Sequence, residues 1–578
     1  MKASIRFNLF KEQNKLIKSL LLEINSLDFF KLLSFNFIFN LVDLFSISFV
    51  FSFIFNSQKI FPFVNLESSK LKVFSFIIIL FLLRSLLSIF IISEKENIHF
   101  SFYKNLKNNL FLNFINSSKK NLEMVNNSDF LSVINLEIER TSAALNRSIN
   151  FIQSFFSVLI YLIAIILIGK NNVIFIILSF FAVFVSAIIY KSKSWRLGEL
   201  ESQENIKNQK LLIDGFNSLK VIKANNAENW FVSNFIKQNT YFINILKKNI
   251  LRTTIFNSLK EFFTILFVTL WLLFNKERFL ISEISLILIF SMKLSNFSGT
   301  LISNYREIIN LLPGYKNLII FREKINFSKD IKKISSLHRN SYQFKDSLNS
   351  LAWECEGYQT NKGFLKICLK KDNPLVVIGY SGSGKTLFLD SFCGLQCIEF
   401  SKWKLSFNNK KEKILYGEKG SRKFRSNISY LTQNSQLFEL TIKQNILLNK
   451  YDANLYNPSM DNEIKDWLVK LNLFKLIERY GLDNRIIKST LDNLSKGEIQ
   501  RLLLIRSFIL NKPIEVFDEP LAGLDKLNAN IVTEIFSKRA KNKIILISSH
   551  NENLINSFNN ILRVETLKIK NNNLYTNQ

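Results

Sequence analysis

The chain has 578 residues and a formal net charge of +30 at pH 7, from 76 Lys and Arg against 46 Asp and Glu. Since domains usually hold about 100–200 residues, this length exceeds one core and predicts about two to four structural units. The basic residues are dispersed and lack the interleaved aromatic side chains of a nucleic-acid groove, so no nucleic-acid partner is expected. An anionic membrane face and a compositional bias, with 57 Phe against 16 Gly and 6 Pro, both account for the charge.

The first stretch of the chain is basic but does not have the pattern of a signal peptide. Its cations are spread along a mixed sequence without a compact apolar segment or a small-residue cleavage site. This pattern is typical of a cytoplasmic helix that precedes a membrane domain.

Apolar residues before about residue 312 are organised in long blocks. A helix needs about 20 apolar residues to cross the hydrocarbon core of a bilayer, because its backbone groups must be bonded internally. Six stretches meet this requirement, at residues 33–55, 71–92, 149–168, 173–190, 259–274 and 279–303. The sequence therefore predicts an all-α six-helix transmembrane domain within residues 1–322.

The connections between these spans alternate in length. Residues 56–70, 169–172 and 275–278 form short turns, whereas 93–148 and 191–258 form long, lysine-rich loops. An even number of spans returns the chain to its starting side, and loops rich in lysine face the cytoplasm. We therefore expect a multi-pass protein of the cytoplasmic (inner) membrane whose N-terminus, long loops and C-terminal domain are cytoplasmic, with membrane lipids around the spans.

Charged residues inside the predicted spans are candidates for a substrate pathway. Arg84, Glu283 and Lys293 lie within these stretches. Ionisable groups at this depth are costly and usually face a cavity or a partner. Side chains that reach the membrane surface, or a helix that ends earlier, would also account for them, Glu283 in particular.

After a polar linker at residues 323–347, the remaining chain, 348–578, has an α/β pattern. A strand-like run at 375–378 leads into the sequence GYSGSGKT at 379–386, which a helical run follows. Backbone N–H groups of such a glycine-rich loop bind phosphates, its lysine reaches the β and γ oxygens, and its Thr hydroxyl binds Mg²⁺. The residues expected to bind ATP here are Gly379, Ser381, Gly382, Ser383, Gly384, Lys385 and Thr386.

Two further strand patterns end in candidate catalytic residues. The run at 514–517 is followed by Asp518 and Glu519, of which the first suits Mg²⁺ and the second can polarise an attacking water. The acidic Glu515 within this strand is not explained by the pattern. The run at 543–547 leads to His550, which is placed to sense a γ-phosphate, although a histidine there is also compatible with a structural role.

The run LSKGEIQR at 494–501 resembles the signature motif of the ATP-binding cassette (ABC) family, and the other cassette motifs occur in the family's order. Gln433 resembles the Q-loop glutamine, and residues 522–525 resemble the D-loop. The resemblance covers the whole chain and implies an exporter-type half-transporter. The implied fold is the six-helix transmembrane domain followed by an α/β P-loop NTPase (ABC ATPase) domain, and the implied cofactors are ATP and Mg²⁺.

The resemblance also implies roles and a partner. Glu519, His550 and Gln433 would be catalytic, while Thr386, Gln433 and Asp518 would hold Mg²⁺. Because the chain has one cassette, a second half-transporter, as a homodimer or a heterodimer, is implied. Across that interface Ser495 and Gly497 would complete the ATP site of the partner, and Asp525 of the D-loop would also belong to an ATP site.

The expected function is ATP-driven export or flipping of a lipid, a lipid-linked glycan, a peptide or a drug-like molecule. A membrane-anchored ATPase that gates a channel or regulates a partner without transport is the alternative. For stacking on adenine, the family's aromatic residue falls near Cys355, where Trp353 and Tyr358 are the nearby candidates.

Overall fold

The computed structural model describes residues 2–23, 25–55, 70–117, 125–168, 194–275, 281–325, 348–360, 363–395, 402–407, 411–433, 435–448, 459–484, 494–550, 565–570 and 573–576. These residues form two compact units that divide near residue 330. We call them the helical unit and the α/β unit, and number their described elements in chain order.

The helical unit consists of long helices joined by short helical segments. Several helices exceed 40 residues, which is twice the length needed to cross a bilayer. A π-helical turn at Val133–Glu137 connects α4 to α5. The helices are α1 (Lys2–Leu21), α2 (Ser26–Phe55), α3 (Lys70–Asn116), α4 (Asn127–Ser132), α5 (Ile138–Ile168), α6 (Ser194–Asn217), α7 (Leu219–Ala224), α8 (Glu228–Asn275) and α9 (Ile281–Lys324).

Three of the described helices are long and apolar enough to cross a membrane, at Ser26–Phe51, Phe74–Asn116 and Ser128–Ile166. They overlap most of the first, second and third predicted spans. The fourth, 173–190, lies outside the described residues, the fifth falls within α8, and the described part of the sixth falls within α9. The structure therefore confirms a helical N-terminal region with candidate spans, and the count of six stays a prediction.

Two of the charged residues predicted within spans share one partner. Arg84 on α3 and Lys293 on α9 both form ion pairs with Asp43 on α2, a residue that the sequence reasoning did not single out. The side chain of Glu283 lies outside the described residues.

The α/β unit contains two sheets. An antiparallel sheet has the strand order β2-β1-β4-β5, and a six-stranded sheet has the order β10-β9-β3-β8-β7-β6. In the larger sheet β9, β3, β8, β7 and β6 are parallel, and β10 pairs antiparallel with β9. The strands are β1 (Leu348–Thr360), β2 (Gly363–Lys370), β3 (Leu375–Ile378), β4 (Lys402–Phe407), β5 (Glu412–Tyr416), β6 (Ile428–Leu431), β7 (Ile514–Asp518), β8 (Ile544–Ser549), β9 (Glu565–Lys570) and β10 (Asn573–Thr576).

Helices cover both faces of the larger sheet. Because successive strand residues point to opposite faces, Val516 joins a core shared with the smaller sheet, while Phe517 joins a core formed with the later helices. All residues of β3, β7 and β8 are buried, as expected for parallel strands covered on both sides. The helices are α10 (Lys385–Phe392), α11 (Gly417–Arg425), α12 (Ile442–Leu447), α13 (Ser459–Lys470), α14 (Phe474–Tyr480), α15 (Lys496–Leu510) and α16 (Lys526–Ala540).

The structure explains the unexpected Glu515. Its fully buried carboxylate accepts from Arg539 on α16, at 3.0 Å to Nε and 2.5 Å to an Nη atom, and Lys543 donates to it at 2.6 Å. Two cations from the segment leading into β8 therefore neutralise one acid on β7. The cluster joins α16 to the strand that ends at the predicted catalytic acids.

Glu515→Gln is expected to destabilise the chain by about 3–5 kcal/mol, because it leaves two cations beside a buried neutral amide. The measurement is the thermal unfolding midpoint of the α/β unit in the full chain. Glu534→Gln is the matched control, since Glu534 forms an exposed ion pair with Lys538 and its loss should cost about 0–1 kcal/mol. Equal midpoints for the two variants would contradict the role given to Glu515.

Candidate active site

The loop between β3 and α10 has the geometry of a phosphate-binding loop. Gly382 and Gly384 have φ of 80° and 98°, which favours glycine. Lys385 is 6% exposed, and its Nζ donates to the carbonyl oxygens of Gly379 at 2.8 Å and Tyr380 at 3.1 Å. Its ammonium group therefore bridges the start of the loop and is held where α10 begins.

One buried hydroxyl in this loop has no partner in the part of the chain that the structure describes. Ser383 is 8% exposed, and its Oγ has no hydrogen-bond partner among the described residues. A buried polar atom left unpaired is costly, so its presence fits a group that binds from outside the chain. The chemistry of the loop fits the phosphates of a nucleotide.

A hydroxyl and a carboxylate meet behind the loop. Thr386 Oγ1 donates to Asp518 Oδ2 at 2.8 Å, and Ser548 Oγ donates to Asp518 Oδ1 at 2.5 Å. Burial raises the pKa of Asp518 and the charges of Glu519 and Asp390 add to the shift, while the hydrogen bonds from Ser548 and Thr386 oppose it. Oxygen ligands of this kind suit Mg²⁺, which keeps water and substrate phosphates as its other ligands.

Three side chains converge on the carboxylate of Glu519. Gln433 Nε2 donates to Oε2 at 3.2 Å, while Lys385 Nζ lies 3.7 Å and His550 Nδ1 lies 3.6 Å from Oε1. The structure therefore brings together residues that follow β3, β6, β7 and β8. Their catalytic roles stay predictions.

The backbone of Glu519 is unusual. Its φ is 50°, a conformation that non-glycine residues seldom adopt and that often marks functional sites. Its N–H donates to Ser548 Oγ at 2.9 Å, so the same hydroxyl holds Asp518 and the backbone of Glu519. The sequence reasoning missed Ser548. A small hydroxyl residue at the end of a buried strand, beside an acidic pair, was the available signal.

The residues that resemble the signature motif form the N-terminal cap of α15. Ser495 caps α15, with Ser495 Oγ accepting from the N–H of Glu498 and Glu498 accepting from the N–H of Ser495. Either Glu or Gln can complete such a capping box. Glu498 can therefore occupy the position at which the ABC signature motif usually has glutamine. Gly497 packs against the next motif, since a Cβ there would lie 3.0 Å from Gly523 O.

Asp525 caps the following helix, α16. It accepts from the backbone N–H of Asn528 at 2.7 Å, and this hydrogen bond lowers the pKa of Asp525. Within one chain Ser495, Gly497 and Asp525 therefore have structural contacts. Their contribution to an ATP site stays a prediction.

Trp353 is not available for adenine, so this part of the sequence interpretation was wrong. Its side chain is fully buried and packs edge-on against Phe388 and Phe392 of α10. The inward face of β1 is covered by α10 and the larger sheet, and alternation along the strand puts Trp353 on that face. The side chain of Tyr358 lies outside the described residues.

Comparisons with known proteins agree with this geometry. Residues 364–522 match the family model described as ABC transporter. The chain is 24% identical over 413 residues to the lacticin-481/lactococcin-DR transport/processing ATP-binding protein of Lactococcus lactis subsp. lactis, covering 68% of this chain and 55% of that protein. It is 27% identical over 369 residues to the nisin transport ATP-binding protein of the same organism, covering 60% and 57%.

The fold of the chain is similar to that of a bacterial Atm1-family ABC exporter solved with ATP bound. The TM-score is 0.72 at 14% sequence identity, with 95% of both chains covered. In the sequence comparisons, by contrast, the chain spans just over half the length of these two relatives.

Asp518→Asn is expected to raise the thermal unfolding midpoint of the nucleotide-free protein at pH 7. The raised pKa means that the ionised Asp518 destabilises the folded chain, and this cost is present above the folded pKa and disappears below the unfolded pKa. The increase in the thermal unfolding midpoint of the variant should therefore become smaller as the pH falls toward 4. The same variant should lose the stabilisation that Mg²⁺ adds to ATP. A lower midpoint at pH 7 would contradict this account.

Proposed function

Since the chain belongs to the ABC transporter family, we propose that it hydrolyses ATP to export or flip a substrate across the cytoplasmic membrane. The observation that carries this proposal is the convergence of Lys385, Gln433 and His550 on Glu519, beside the Thr386–Asp518 pair. It supports hydrolysis, because a base, a phosphate-binding lysine and Mg²⁺ ligands lie in one place. The helical unit with its candidate spans supports a location in the membrane.

The residues of the site divide the chemistry among them. The loop 379–384 and Lys385 would bind the phosphates, and Thr386, Gln433 and Asp518 would hold Mg²⁺, which would neutralise phosphate charge. Glu519 accepts a proton from the attacking water, and Gln433 orients that water and the metal ligands. His550 is 62% exposed in its side chain, which leaves it free to contact a γ-phosphate.

The proposed unit is a dimer of half-transporters. In this arrangement Ser495, Gly497 and Asp525 complete the ATP site of the partner, which suits their position at helix caps at the surface of the α/β unit. A homodimer needs no further chain, since every predicted hydrolysis residue is present here. ATP then favours the closed pair of cassettes and hydrolysis returns it to the open state, which shifts the membrane domain between two orientations.

The substrate is proposed to be a peptide, a lipid, a lipid-linked glycan or a drug-like molecule. The printed names of two relatives refer to transport of lacticin-481 or lactococcin-DR and of nisin. These relatives favour transport over a purely regulatory ATPase. The proposed topology places the N-terminus and the α/β unit in the cytoplasm.

The deciding experiment for this function is vectorial movement in proteoliposomes. Labelled lipids and peptides are added to the reconstituted chain, and ATP with Mg²⁺ is supplied on the side of the α/β unit. The proposal expects ATP-dependent movement of at least one labelled class above the level without ATP. Hydrolysis and nucleotide-dependent conformational change without movement of any class would instead indicate a regulator or a channel gate.

Glu519→Gln is expected to lower the rate of ATP hydrolysis by about 10²–10⁴-fold while leaving ATP binding intact, because the amide cannot accept the proton. The variant should accumulate as an ATP-bound dimer on size-exclusion chromatography. Glu534→Gln, a change to an exposed acid of α16, is the control and should hydrolyse ATP normally. Normal hydrolysis in the Glu519 variant would refute the role given to this residue.

A further inference from the structure

A buried carboxylate in the helical unit holds two cations from distant parts of the chain. Asp43 is 1% exposed; its Oδ1 lies 2.7 Å from Arg84 Nε, and its Oδ2 lies 3.0 Å from Lys293 Nζ. The hydroxyl of Tyr161 on α5 donates to the same Oδ2. One acid and two bases leave this cluster with a net charge of +1, at a depth where ionisable groups are costly and commonly functional.

Asp43 leaves both cationic side chains partly exposed. The side chains of Arg84 and Lys293 are 32% and 29% exposed, in contrast to 1% for the acid between them. Each cation therefore retains hydrogen-bond donors that point away from Asp43, since an ammonium has three and a guanidinium five. The uncompensated charge is accessible to a ligand.

A polar stripe leads away from this cluster along three helices. Residues at spacings of three and four lie on one helix face, and each of the three helices continues the cluster at that spacing. On α2 the stripe is Asn36, Asn40 and Asp43; on α5 it is Asn150, Ser154, Ser157 and Tyr161; on α9 it is Lys293, Thr300 and Asn304, interrupted by the apolar Phe297.

Residues from all three stripes line a partly open cavity of about 360 Å³, namely Asn36, Asn150, Ser154, Ser157, Phe297, Thr300 and Asn304. Ser157 and Phe297, which line it, lie four residues from Tyr161 and Lys293, or about one helical turn of 5.4 Å. The volume lies within the range of about 300–1,000 Å³ that is usual for small-molecule sites. The positive cluster therefore lies about one helical turn beyond the lining of a cavity of the size of a small solute.

The cavity offers hydrogen bonds that the described chain does not use. Gln153 Nε2 lines it and is buried without a partner among the described residues, and nearby Asn40 is 1% exposed with its Oδ1 likewise unpaired. Buried polar atoms of this kind are costly unless something bonds them. Apart from Phe297, the described lining consists of amides, hydroxyls and one arginine.

The opposite end of the cavity carries no excess charge. Arg147 lines it there, and its Nε lies 2.6 Å from Glu307 Oε2, so this cation is paired with its own acid. Among the described residues the charge along the stripes is thus asymmetric: it is neutral at Arg147, and it is positive at Arg84 and Lys293, about one helical turn beyond the other end of the lining. An acyl chain finds few apolar contacts along these walls, which disfavours a lipid occupant.

We infer that this cavity binds a small, polar, anionic solute, whose negative group pairs with Lys293 and Arg84 and whose amides or hydroxyls bond the stripe. This inference rests on the proposed transport function and gives its substrate a chemical class. Asp43 acts as a positioning residue, because it holds the two cations side by side without neutralising both. A peptide with a free carboxylate has the required combination of groups.

The test uses two probes that differ only in one negative charge, N-acetyl-trialanine and its C-terminal amide. ATP hydrolysis by the full chain in phosphatidylcholine liposomes is measured against the concentration of each probe. The expected result is stimulation by the acid at a half-saturating concentration at least about tenfold below that of the amide, since tenfold corresponds to the loss of one modest charged contact.

Variants separate recognition from structural support. Lys293→Gln should abolish the preference for the acid, and Lys293→Arg should retain it. Lys31→Gln is the matched control, because Lys31 forms an exposed ion pair with Glu94 between α2 and α3, two of the helices that the Asp43 cluster joins. Each rate is taken relative to the same variant without probe, and thermal midpoints report any loss of folding.

Loss of the preference in Lys293→Gln, with retention in Lys31→Gln, supports the inference. Equal responses to acid and amide, no response to either in a chain that hydrolyses ATP, or a preference that survives Lys293→Gln overturns it. Stimulation by phosphatidylglycerol with no response to the peptides would indicate that the positive cluster binds a lipid headgroup. This result also overturns the inference. If the wild-type chain does not hydrolyse ATP at all, the proposed function itself is wrong. This outcome can be distinguished from an error in the inference about the anionic solute.

Discussion

The parallel pairing of β3, β8, β7 and β6 is the constraint on which the candidate active site depends. Because these strands run in one direction, their carboxyl ends meet at one edge of the sheet, where ligands commonly bind in open α/β folds. Side chains from three other chain segments then lie within 4 Å of the Glu519 carboxylate. The register places Asp518 beside Ser548, so a single hydroxyl can hold the acidic pair.

The sequence could predict those parts of the site whose geometry is local. The phosphate loop is one turn between a strand and a helix, and its glycines, Lys385 and Thr386 specify its shape within eight residues. Strand patterns placed Glu519 and His550 at strand ends, whereas Gln433 was identified by resemblance alone, and in the structure all three follow strands. Their mutual distances needed the sheet, since no local pattern specifies which strands are neighbours.

Long-range contacts explain what sequence reasoning could not predict. Glu515 looked anomalous because its cations lie 24 and 28 residues away, on elements that return to β7 only after folding. Asp43 was overlooked inside an apolar span for the same reason, since its partners follow far along the chain. Trp353 was misplaced because a strand's alternation identifies two faces without identifying which one a second layer covers.

The buried Asp518 links the stability of the protein in a cell to nucleotide binding. Burial raises the pKa of Asp518 and so disfavours its ionised form in the nucleotide-free site, and a ligand that binds only the folded state stabilises that state by about 2.7 kcal/mol at a hundredfold excess over its Kd. The ATP concentration in the cell would then affect the lifetime of the protein. We therefore expect the chain to unfold more often in an ATP-depleted cell, and to be degraded sooner by quality-control proteases, than in a cell with abundant ATP.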